Sequence, residues 1–75
     1  MSTSSTIKAL LAATDTKQGD LLNYLDVSSK QALSNKFSRD GWSPYDLVGV
    51  ANATGSKVGF QLPDGQFLAL TGKKE

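Results

Sequence analysis

Apolar residues recur at helical spacing along the first two thirds of the chain and then switch to alternation. Ile7, Leu10 and Leu11, with Thr14 completing an i, i+3, i+4, i+7 series, predict a helix over about residues 5–13. Ala9, Ala12 and Ala13 raise its propensity, and Ser4 or Ser5 is the expected cap. Asp15-Thr16 interrupts the pattern and offers capping oxygens to a second helix, about residues 17–25, on which Gln18, Leu21, Leu22 and Leu25 repeat the spacing. Asp26-Val27-Ser28-Ser29 reads as a tight connection, with Val27 turned to the core and Ser28 or Ser29 capping a third helix, about residues 29–38. On this helix Leu33 and Phe37 share one side with Ala32, while Gln31, Ser34, Asn35 and Ser38 form a polar stripe. Ser43-Pro44-Tyr45-Asp46 has the cap, first-turn proline and acidic third position of a helix start, which predicts a fourth helix over about residues 44–54, closed by Gly55. Leu47, Val48 and Ala51 carry its buried side.

Beyond Gly55 the period becomes two. Val58, Phe60 and Leu62 alternate with Gly59 and Gln61, Pro63-Asp64-Gly65 suits a type I turn followed by a bulge, and Phe67 to Leu70 returns. The prediction is a β-hairpin, with strands over about residues 57–62 and 66–70, Phe60 opposite Leu68 and Val58 opposite Leu70. A hairpin is unstable alone, so one face is expected to pack on the helices. The fold class is therefore mainly α, with four helices and a C-terminal β-hairpin.

At 75 residues the chain supports one domain with one core. It holds neither cysteine nor histidine, which removes disulfides, the usual zinc ligands and the commonest general base. The six aspartates are scattered, and no serine is framed as a nucleophile. Neither enzymatic activity nor any cofactor or metal is expected. The apolar stretch from Ile7 to Ala13 is interrupted by Lys8 and is too short for a signal peptide or a membrane span, so the protein is expected to be soluble, to contact no membrane and to remain cytoplasmic. Lys73-Lys74-Glu75 reads as a charged tail.

Net charge is only +1, but its distribution is uneven: Lys30, Lys36 and Arg39 fall between Asp26 and Asp40, where no acidic residue stands. This is the segment with the polar stripe. A solvated helix face is ordinarily built from Glu, Lys and Arg, whereas Gln31, Ser34, Asn35 and Ser38 cost helix propensity. Their amides and hydroxyls match the donor and acceptor pattern of base edges, and the flanking cations suit phosphates. Two short helices joined by a tight turn, the second carrying such groups, have the order of a helix-turn-helix that sets its second helix in the major groove.

Lys17-Gln18-Gly19-Asp20-Leu21, Val27-Ser28, Gln31-Ala32-Leu33-Ser34-Asn35-Lys36 and Trp42-Ser43-Pro44-Tyr45-Asp46-Leu47 together resemble the Cro/repressor-like (XRE-like) helix-turn-helix family, over about Ile7 to Gly55. The resemblance implies a four-helix lambda-repressor-like bundle. It also implies sequence-specific binding of double-stranded DNA as a homodimer, and transcriptional control, often repression, of phage, plasmid or other mobile-element genes. Carried over by position, base contacts fall on Ser29, Lys30, Gln31, Ser34 and Asn35. Phosphate contacts fall on Lys17, Gln18, Lys36, Ser38 and Arg39. The stretch from Asp26 to Leu33 is one residue longer than that family's usual turn and helix start. Trp42, beside Phe37 and Leu47, is expected to lid the core. The surplus of apolar groups on Phe67, Leu68, Ala69 and Leu70 predicts dimerisation through the hairpin. The other reading of the same scaffold is a protein-binding module, an anti-repressor or inhibitor whose third helix engages a protein instead of DNA.

Overall fold

The computed structural model describes residues 2–71, and the predicted tail at Lys73-Lys74-Glu75 lies outside them. α1 spans Thr3–Ala13, two residues earlier at its start than predicted, because Ser2 caps it in place of Ser4 or Ser5. The Ser2 hydroxyl accepts from the Ser5 backbone N–H (3.1 Å), and the Ser5 hydroxyl lies 3.1 Å from the Ser2 N–H in return. Ser4 instead turns inward and is buried.

The second element is not the α-helix expected over about residues 17–25 but a 3₁₀ helix, Gln18–Asn23. Gly19, Asp20 and Asn23 are poor helix formers, and the Asp20 carboxylate reaches back to the Lys17 N–H (3.1 Å), which favours a tight first turn. The Tyr24 and Leu25 N–H groups both donate to the Leu21 carbonyl (3.0 and 2.9 Å), so the segment closes there. Tyr24 and Leu25 consequently join the connection to the next helix.

α2 runs over Lys30–Arg39, one residue later than predicted, with Ser29 as its cap: the hydroxyl accepts from the Ala32 N–H (3.1 Å). It ends on Asp40 in the left-handed conformation (φ 54°). α3 spans Pro44–Thr54 with the predicted start, Ser43 and Asp46 capping each other, and the predicted stop at Gly55 (φ 67°). α1 packs on α2 and α3, and the 3₁₀ helix packs on the same two. Ile7, Leu11, Leu21, Leu25, Leu33 and Val50 form the buried centre, edged by Val27, Phe37, Trp42 and Leu47. Among the described residues no helix is long and apolar enough to cross a membrane.

Gly49 sets the approach of α3 to the end of the 3₁₀ helix. A Cβ there would stand 2.5 Å from Leu25 Cδ2 and 2.6 Å from the Tyr24 carbonyl oxygen. The leucine can move; the backbone oxygen is held. Gly49→Ala is therefore expected to destabilise the protein by about 1–2 kcal/mol in urea denaturation, despite the ~1 kcal/mol that alanine gains over glycine inside a helix. A variant as stable as the parent would show that α3 is free to shift outward.

β1 (Gly59–Gln61) and β2 (Phe67–Ala69) pair antiparallel in the predicted register, Phe60 opposite Leu68, around a turn with Gly65 at φ 97°. The expected packing of one hairpin face on the helices does not occur. Phe60 is 66% and Leu68 56% exposed. Val58 reaches the helical body and is half-buried, but at about 3.3 Å per residue the strand has carried Phe60 past its edge. The overhang agrees with a radius of gyration of 12.4 Å, above the ~11 Å of a compact chain of this length.

Candidate nucleic-acid interface

The buried side of α2 carries Leu33, with Phe37 packed against the core. The opposite side exposes Gln31, Ser34, Asn35 and Ser38, with Lys30 and Arg39 at the two ends. Gln31 and Asn35, one turn apart, are linked by a hydrogen bond from Gln31 Nε2 to Asn35 Oδ1 (3.2 Å). Each amide thus orients the other while free donors and acceptors remain on both. Ser34 is exposed, and Ser38 bends its hydroxyl back to the Ser34 and Asn35 carbonyls (3.2 and 3.4 Å). Its O–H is spent on the helix, leaving only lone pairs for a partner.

The expected site residues divide into those that the fold leaves open and those that it employs. Lys30, Gln31, Ser34, Asn35 and Arg39 are open. Ser29 is exposed, but its hydroxyl caps α2. Lys17 and Gln18 lie exposed at the start of the 3₁₀ helix. Lys36 is engaged: its ammonium lies 2.7 Å from an Asp46 carboxylate oxygen, with both side chains largely covered. The same carboxylate accepts from the Ser43 N–H (2.9 Å). Burial pushes the Asp46 carboxyl up, but Lys36 and Ser43 outweigh it and hold its pKa below the ordinary value. Lys36 and Arg39 also sit in the last turn, where cations meet the negative pole of the helix.

A clamp that the sequence did not announce fixes the C-terminal end of α2. Asp40 accepts from the Ser4 backbone N–H (2.6 Å), the Ser4 hydroxyl donates to the Phe37 carbonyl (2.8 Å), and the Trp42 indole N–H donates to that hydroxyl (2.9 Å). The Asp40 carboxyl is lowered by its backbone hydrogen bond from Ser4. Trp42 packs edge-on against Phe37, with ring centroids 4.8 Å apart, so it is half-buried core as expected. Trp42 was the one available signal, since a covered indole N–H needs an acceptor. The clamp joins the first turn of α1 to the last turn of α2, and so sets the direction in which the polar face looks.

The four residues expected to dimerise differ in exposure only by degree: Phe67 is 40%, Leu68 56% and Leu70 37% exposed, and Ala69 is exposed as well. Phe67 faces Gln61 and Ala69 faces Gly59, on the side of the hairpin away from Phe60 and Leu68. Among the described residues no group of three or more His, Cys, Asp or Glu is placed to hold a metal ion. Comparison with family models, with curated proteins and with solved structures yields no match to this chain.

Proposed function

We propose that the chain is a sequence-specific double-stranded DNA-binding protein of helix-turn-helix type, a transcriptional regulator that reads the major groove with α2 and acts as a homodimer held through its hairpin. The observation that carries this reading is the exposed face of α2. It offers two coupled amides and a free hydroxyl, with cations at both ends and no carboxylate on the helix. Amides set at one-turn spacing present donor and acceptor together, which is the pattern of an adenine edge, and Ser34 is free to contact either kind of base. Lys30, Arg39 and Lys17 are the phosphate anchors in this arrangement, with Gln18 beside Lys17. The short hydroxyl of Ser29 is left to its cap, and Lys36 to Asp46.

Selection from a random DNA pool tests the reading, because a major-groove reader acting as a twofold dimer enriches a palindrome with half-sites about one helical turn apart. On the selected site Gln31→Ala is expected to cost about 1–3 kcal/mol, roughly five- to 150-fold in affinity, and to relax preference at one base pair per half-site. Lys30→Ala should instead weaken all sequences alike and flatten the salt dependence by about one unit of slope per protomer. Retention of DNA by a chain lacking Lys30, Gln31 and Asn35 together, or no enrichment of any sequence, would turn the face of α2 into a protein-binding surface.

A further inference from the structure

A helix seated in the major groove fills it, since a helix with its side chains is about 10–12 Å across and the groove about 12 Å wide. The phosphate rows of the two strands then border the two flanks of the helix. On α2 these flanks differ. One carries Arg39, a turn beyond Asn35. The other is formed by Phe37, three residues past Ser34 and about 60° around the helix from it. Apart from Lys30 at its first position, α2 places no cation on this second flank. α1 brings one there. The Lys8 ammonium stands over the Phe37 ring, 5.6 Å from its centre, and Ser4, one turn earlier on α1, donates to the Phe37 carbonyl (2.8 Å).

We infer that Lys8 is a DNA phosphate contact, the cation that α1 supplies to the flank that α2 itself leaves apolar. The inference rests on the proposed entry of α2 into the major groove, and it adds a residue of a different helix to that site. Lys8 is exposed, and α1 contains no acidic residue. Among the described residues the ion pair is Lys36–Asp46, so no carboxylate neutralises Lys8, and the Asp40 carboxylate at the same end of α2 is held by the Ser4 N–H. The aromatic face attracts the ammonium through its quadrupole and uses no lone pair, so the charge is kept at this flank while N–H donors remain for a phosphate oxygen. A cation already placed in the free protein loses less freedom on binding than one on an unsupported stem. The bonds of Ser4 to Phe37 and Trp42 tie α1 to the end of α2, which fixes the distance from Lys8 to the polar face.

Fluorescence anisotropy of the full chain on its selected DNA site, titrated over a range of salt, tests this. Lys8→Met keeps an apolar stem against Phe37 and removes the charge. It is expected to flatten the plot of log affinity against log salt by about one unit of slope per protomer, which is roughly an eightfold loss per protomer at 0.1 M salt against convergence near 1 M. The loss should be equal on selected and unrelated duplexes, since a phosphate contact carries no base preference. Lys8→Arg should restore the parental slope. Lys57→Met removes the same charge beside the opening between α1 and α3 and should leave the slope as it is. The urea midpoint of Lys8→Met should stay at the parental value, which separates loss of a contact from loss of fold. A parental slope in Lys8→Met, or an equal change in Lys57→Met, overturns the proposal. Failure of the wider reading is distinguishable. If Gln31→Ala still loses affinity while Lys8→Met keeps the slope, only the Lys8 contact falls; a parent that binds no DNA removes the reading of α2 and this contact with it.

Discussion

Leu21→Ala is expected to remove about 3–5 kcal/mol of stability, a large part of the roughly 4–11 kcal/mol available to a chain of this length. Among the described residues Leu21 is the one large side chain with no exposed surface, and it sits where the 3₁₀ helix meets both α2 and α3. Its truncation leaves a cavity among Ile7, Leu11, Leu25, Leu33 and Val50, in the middle of a small core. In urea the midpoint should fall sharply with little change in slope, monitored by circular dichroism. Leu22→Ala is the control. Leu22 is its neighbour in the same turn but only half-buried, and the expected cost is about 1–2 kcal/mol. A Leu21→Ala cost as small as that of Leu22→Ala would mean that the 3₁₀ helix is peripheral to the fold. DNA binding by Leu21→Ala, under the proposed function, should fall only as the folded fraction falls, because Leu21 does not reach the face of α2.

The 3₁₀ helix is also where reading the sequence fell short. Leu21, Leu22 and Leu25 have the spacing of an α-helix, and periodicity alone does not separate an α-helix over about residues 17–25 from a six-residue 3₁₀ helix with the same apolar side. What decided it were local hydrogen bonds, Asp20 back to Lys17 and two N–H groups sharing the Leu21 carbonyl. Caps with distinctive chemistry were legible: Ser43-Pro44-Tyr45-Asp46 and the turn at Pro63-Asp64-Gly65 each have few alternatives. The serine-rich start was not, because Ser2, Ser4 and Ser5 are equivalent as caps until Ser4 is drawn inward by Phe37 and Trp42.

The candidate site was legible as a pattern and not as a set of free groups. The stripe of Gln31, Ser34 and Asn35 follows from helical geometry once Leu33 and Phe37 define the inner side. Ser29 is the cap and Lys30 the first helical residue, one position later than the sequence pattern indicates. Which cations remain available is a tertiary fact. Lys36 and Asp46 are ten positions apart on different helices, and no local rule connects them. The same holds for Asp40 and Ser4, separated by 36 positions. Hairpin register was predictable from the turn, but whether a face is covered depends on how far the strand travels past the helices.

The Lys36–Asp46 pair yields the second large effect, and it bears on function as well as stability. Asp46→Asn removes the carboxylate charge from the hydrogen bond with Lys36 and weakens the cap of α3, for an expected loss of about 2–3 kcal/mol at neutral pH. The pH dependence has a definite sign. The folded Asp46 carboxyl has a pKa below the ordinary value of 3.8, so the unfolded chain binds the proton more readily. The stabilisation is present above that value and is lost as pH falls through the lower, folded one. Asp40 contributes in the same direction. Urea midpoints of the parent should therefore fall on acidification below about pH 5, and Asp46→Asn should show a shallower fall, with Asp40 supplying the remainder. Lys36→Met is expected to cost less, about 1 kcal/mol, since Asp46 keeps its bond from the Ser43 N–H and the methionine covers the same surface. Its DNA salt dependence should match that of the parent, in contrast to Lys30→Ala. A Lys36→Met protein with parental stability but a shallower salt slope would reverse the assignment, making Lys36 a phosphate ligand and its bond to Asp46 incidental.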